Sequence, residues 1–129
     1  MLEPYLKEKL IKDLSNRPEI IFAILYGSAA EEKPFRDLDV GLYVDRTLLT
    51  KMDELNFTFD LEVALQKEAG HPVDVRVIND APLPFRYNVS RGIPLVVNNT
   101  ETFANFLERT WDEYLDFQPI ALRYLQDQR

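Results

Sequence analysis

A chain of 129 residues is the size of one domain and can bury a respectable core without disulfide or metal staples. It has no cysteine, which excludes disulfides and thiolate metal sites. Its formal net charge of -7 argues against extensive nucleic-acid binding, which needs clustered Lys and Arg; a nucleotide with its metal, or a basic protein, suits this surface better.

Leu2, Tyr5, Leu6, Leu10 and Leu14 fall at helical spacing, with Lys7, Glu8 and Lys12 on the other face, so the chain opens on an amphipathic helix. Ser15-Asn16-Arg17-Pro18 stops it. This charged stretch lacks the apolar centre of a signal peptide, and no run approaches a membrane-spanning length. The expected location is therefore the cytoplasm, with no membrane partner. Ile20 to Tyr26 is an unbroken apolar strand, and Gly27-Ser28 follow at once. Ser28 to Lys33 suits a helical turn with its N-terminus toward phosphates, and Leu38 to Val44 is a second strand.

Lys51 to Ala69 fits two patterns. Leu55, Phe57, Phe59, Leu61, Val63 and Leu65 alternate as in a strand, whereas Met52, Leu55, Phe59 and Val63 sit at helical spacing. The length, the Thr50 and Asp53 start and the Gly70 stop predict a helix, apolar on more than one face. Val73 to Ile78 is a third strand, Leu83 to Ser90 a helix ended by Gly92, and Ile93 to Val97 a fourth strand. Glu101 to Gln128 is a long helical region that Pro119 is expected to break or kink near Phe117-Gln118. Phe103, Phe106, Trp111, Tyr114, Phe117 and Tyr124, with Leu107, Leu115, Leu122 and Leu125, exceed what one helix face needs to cover a small sheet. Part of them is expected to form a partner surface. No repeat and no long linker divides the chain, so residues 1–129 are expected to form a single domain with an aromatic-rich helical region at about 101–128.

The chemistry concentrates between Ile21 and Asp45. Side chains two apart on a strand share a face, so Asp37 and Asp39 project together while Leu38 and Val40 enter the core. Adjacent carboxylates repel unless a cation joins them, and Mg2+ favours carboxylate oxygens together with substrate phosphates. Gly27 lets the backbone approach a phosphate, and Ser28 offers a hydroxyl and an amide for an anion nest. Read singly, Gly27-Ser28 is an ordinary turn, Asp37 an Asx-turn residue, and Asp74 a strand carboxylate paired with Arg76. Arg36, Lys33, Arg86 and Arg91 suit either a phosphate or a surface ion pair, and His71 before Pro72 reads as a loop residue.

Gly27-Ser28, a short spacer, Asp37-Leu38-Asp39 heading an apolar strand, and Asp74 within Val73-Asp74-Val75 together resemble the polymerase-beta-type nucleotidyltransferases, in particular their minimal (MNT) branch. The resemblance implies an α/β (α+β) fold with a small mixed four- to five-stranded sheet, helices mainly on one face, and a site at the sheet edge near Ser28. It implies that Asp37, Asp39 and Asp74 are catalytic and hold Mg2+, two ions in all, while Gly27 and Ser28 bind the phosphates of ATP or another nucleoside triphosphate. The C-terminal half is similar to antitoxins of HEPN/MNT toxin–antitoxin pairs, which implies a HEPN-domain ribonuclease toxin as partner and transfer of AMP to a toxin tyrosine. The assembly implied is a homodimer or a hetero-oligomer. Two alternatives stand beside it: a small-molecule nucleotidyltransferase of the antibiotic-modifying kind, and a binding module that neutralises a partner by contact. The spacer AAEEKPFR supports the last, because it is short and lacks the Arg-Gly that often follows the Gly-Ser pair.

Overall fold

The computed structural model describes residues 2–127, with side chains described to Phe117 and at Arg123. The elements run α1 (Pro4–Ser15), β1 (Ile20–Tyr26), β2 (Leu38–Val44), α2 (Lys51–Ala69), β3 (Val73–Val77), α3 (Leu83–Ser90), β4 (Ile93–Val97) and α4 (Thr100–Asp127). The four strands form a mixed sheet in the order β3-β2-β1-β4. β1 pairs antiparallel with both β2 and β4, and β2 pairs parallel with β3. A parallel pair needs a long crossover, and α2 supplies it.

β1 is apolar at every position, so both of its faces demand cover. Ala23 and Leu25 join Leu10 and Leu14 of α1 and Leu61 and Leu65 of α2 in one buried cluster. Phe22, Ile24 and Tyr26 join Val89 of α3 and Phe106 of α4 in the other. The helices are thus shared evenly between the faces rather than gathered mainly on one. The alternation within β1, not the number of helices, decides this.

α2 resolves its two sequence patterns as a helix. Gly70, at φ +71°, closes it in the left-handed conformation, its amide bonded to Gln66 O at 3.0 Å. Leu61, Leu65 and Ala69 form the buried stripe. Met52 (90% exposed), Leu55 (78%) and Phe59 (62%) lie on the outer side.

α4 runs unbroken through Pro119. Proline removes one amide from the ladder while its φ remains helical, so the predicted break does not occur. The aromatics divide by position. Phe103 and Phe106 pack on Phe22, at ring separations of 5.0 and 5.3 Å. Tyr114 stacks on Tyr87 at 3.6 Å, and Trp111 Nε1 donates to Ser90 Oγ at 3.0 Å. Trp111, Leu115 and Phe117 present large exposed surfaces. The side chains of Leu122, Tyr124 and Leu125, and all of Gln128, lie outside the described residues.

Arg86 is the polar tie between α3 and α4. It is buried, and it donates to Ala81 O at 2.9 Å, to Thr110 Oγ1 at 3.3 Å and to a Glu113 carboxylate oxygen. Its guanidinium is committed to these three partners. Arg86→Ala should lower stability in urea melts by about 2 kcal/mol, because a buried guanidinium that ties buried Thr110 to α3 is lost and leaves a gap. Arg109→Ala, which removes an exposed pair with the same Glu113, should change little. Equal melts for the two variants would refute the tie.

Candidate active site

The end of β1 brings the predicted residues together. Tyr26, its last residue, pairs with Asp39 of β2, and Asp39 pairs in turn with Asp74 of β3. Strand register therefore seats two carboxylates side by side across β2 and the edge strand β3. Leu38 and Val40, flanking Asp39, are fully buried on the opposite face and fix its direction. Asp37 lies exposed just before β2.

Gly27 closes against this pair. Its φ is +78°, and a Cβ built on it would lie 2.6 Å from Asp39 Oδ2. Two independent constraints, conformation and space, thus demand glycine. The exposed Ser28 then begins a run of turns. The amide of Ala30 donates to Gly27 O at 3.1 Å, and those of Glu31 and Lys33 donate to Ser28 O at 3.2 and 3.3 Å. The amides of Ser28 and Ala29 are in none of these turn bonds. The segment is a run of turns rather than the expected helical turn, with Glu32 left-handed at φ +55°. Its Lys33 faces Glu31 at 3.6 Å.

Electrostatics mark the cluster as strained in charge. Burial raises the Asp39 pKa above the usual carboxylate range, and the neighbouring Asp74 and Asp37 add to this; Arg76 opposes it. The Tyr26 phenol is pushed up to about 12, first by burial and then by Asp39 and Asp74. Asp74 accepts from Arg76 Nε at 3.2 Å, so the strand-face pairing legible in the sequence is realised. Among the described residues no three acidic or histidine side chains already converge as a metal cage. Mg2+ does not ask for one: it is commonly held by one or two carboxylates plus substrate phosphates and water. A half-buried carboxylate crowded by two others fits that use.

Two other candidates have aromatic neighbours of their own. His71 packs its ring 5.1 Å from that of Phe35. Arg91 lies over the Tyr87 ring at 5.8 Å. Sequence reasoning missed Tyr26 as part of the site. Its signal was its place immediately before Gly27, but only register puts it opposite Asp39.

A family model described as polymerase beta, nucleotidyltransferase matches residues 8–101, well over half of the 129-residue chain. The chain belongs to the polymerase beta nucleotidyltransferase family. No curated protein matches its sequence.

Its fold is similar to solved structures of toxin–antitoxin pairs. The toxin-antitoxin MntA-HepT aligns at 20% identity and a TM-score of 0.69, covering 97% of each chain. A toxin-antitoxin structure with AMP-PNP aligns at 21% identity and a TM-score of 0.69, over 97% of this chain and 98% of the other. A tri-AMPylated Shewanella oneidensis HEPN toxin in complex with MNT antitoxin aligns at 21% identity and a TM-score of 0.68, over 95% and 94%. Among the described residues no helix is long and apolar enough to cross a membrane.

Proposed function

We propose that this chain is a Mg2+-dependent nucleotidyltransferase that moves AMP from ATP onto a tyrosine hydroxyl of a cognate HEPN ribonuclease toxin, acting in the cytoplasm as its antitoxin. The observation that carries this is the Asp39–Asp74 cross-strand pair beside the Gly27-Ser28 turn in a member of this family. The similar structures include an AMPylated HEPN toxin and a complex with AMP-PNP, which supports the acceptor and the nucleotide.

On this reading residues 1–129 work as one domain. Gly27 and Ser28 hold the phosphates. Asp37, Asp39 and Asp74 hold Mg2+, which when bound neutralises charge on the attacking and leaving oxygens. Asp74 accepts the proton of the acceptor hydroxyl. The hydroxyl oxygen forms a bond to the α-phosphorus, the bond to the bridging oxygen breaks, and pyrophosphate leaves. The exposed Trp111, Leu115 and Phe117 of α4 form part of the toxin-binding surface.

Incubation of the chain with the toxin, ATP and Mg2+ tests the reading. Intact-mass spectrometry should show the toxin heavier by whole adenylates. Unmodified toxin after prolonged incubation with each of the four ribonucleotides, in a mixture that has lost toxicity, would establish neutralisation by contact instead.

A further inference from the structure

The arginine in the site is placed to change partners. Arg76 follows Asp74 by two residues on β3 and shares its face. Its Nε donates to Asp74 Oδ2 at 3.2 Å, and its guanidinium lies 5.7 Å from the centre of the Phe85 ring. Phe85 packs edge-on against Tyr26, the residue opposite Asp39. The aromatic shelf therefore belongs to the site's own wall. The Arg76 side chain is 60% exposed, and exposed ion pairs are weakly held. Arg76 also opposes the charge of Asp39, so it is a cation shared by both paired carboxylates.

We propose that Arg76 is a phosphate-binding residue with two seats. Without nucleotide it stands in for a cation at Asp74. When the nucleotide arrives it moves along the Phe85 shelf onto the polyphosphate and leaves Asp74 free. The inference rests on the nucleotidyltransferase reading. Three carboxylates and one guanidinium leave a net charge of about -2 at the site, which attracts a divalent ion more strongly than it holds a guanidinium. Asp74 engages the guanidinium through Nε alone, and the released fork can then match two phosphate oxygens at once. The ring face keeps the guanidinium close during the exchange, since it attracts a cation without competing for its hydrogen bonds.

Binding without an acceptor tests this with no turnover required. Mn2+ binding to the nucleotide-free protein is followed by electron paramagnetic resonance, and ATP binding with Mg2+ by calorimetry. Arg76→Gln should bind Mn2+ alone about three- to fivefold more tightly, since an exposed competitor is gone. It should bind ATP about tenfold more weakly, since a charge-assisted phosphate contact is lost. Arg76→Lys should keep wild-type Mn2+ affinity and recover only part of the ATP affinity, because an ammonium cannot bridge two oxygens as a fork does. The opposite signs separate this role from simple damage, which would weaken both. Unchanged ATP affinity in Arg76→Gln overturns the phosphate seat, and unchanged or weaker Mn2+ binding overturns the stand-in. A wild-type protein that binds neither Mn2+ nor ATP overturns the nucleotidyltransferase reading itself.

Discussion

Asp39→Asn should abolish adenylate transfer to the toxin while leaving the fold at least as stable as before. The side chain keeps its shape and loses its charge. Transfer that relies on neutralised oxygens should slow by about two orders of magnitude or more when one carboxylate goes, as for other preorganised electrostatic contacts. Stability should move the other way. Folding raises the Asp39 pKa through burial, then Asp74, then Asp37. An acid whose folded pKa is raised is ionised at a cost in the folded state. That cost is absent below the unfolded pKa and is incurred as pH rises through the folded one. At neutral pH the asparagine variant should therefore melt no lower than wild type, and its advantage should disappear in acid. Single-turnover rates, with melting curves at acidic and neutral pH, check both halves. A variant that still modifies the toxin at wild-type rate would remove Asp39 from the machinery.

Gly27→Ala should damage both folding and transfer. The left-handed φ alone costs an alanine about 1 kcal/mol. The new Cβ would also sit 2.6 Å from Asp39 Oδ2, so that carboxylate, on the rigid strand β2, must move. Loss of about tenfold or more in transfer rate is expected, because a misplaced charged group loses its preorganisation. A double-mutant cycle isolates the contact. In an Asp39→Ala background the carboxylate is gone and only the backbone term remains, so Gly27→Ala should cost measurably less stability there. Strictly additive urea midpoints would show that the two residues do not meet.

The sequence by itself determined the order and kind of the elements. Periodicity of two or of 3.6 reflects short-range sterics, and turn and stop residues act locally. β1, β2, α2, α3 and β4 therefore sit where their patterns put them. Asp37, Asp39 and Asp74 were legible because a polar residue heading or interrupting an apolar strand is conspicuous in one dimension. The even sharing of the helices was not: the sequence reading expected them mainly on one face, and only the two clusters on either side of β1 showed otherwise.

Tertiary structure decided what depends on register and on partners distant in the chain. Tyr26, Asp39 and Asp74 meet only because antiparallel and parallel pairings fall where they do, and a slip of one residue would turn Asp39 into the core. The 2.6 Å clearance at Gly27 follows from that register, not from any local preference. Arg86 had the composition of a phosphate ligand and became an interior tie, because Thr110 and Glu113, more than 20 residues away, claimed it. The aromatics of α4 followed one local pattern, yet Phe106 is core and Trp111 half in solvent. Which turn of a helix meets the sheet is fixed by where the sheet ends.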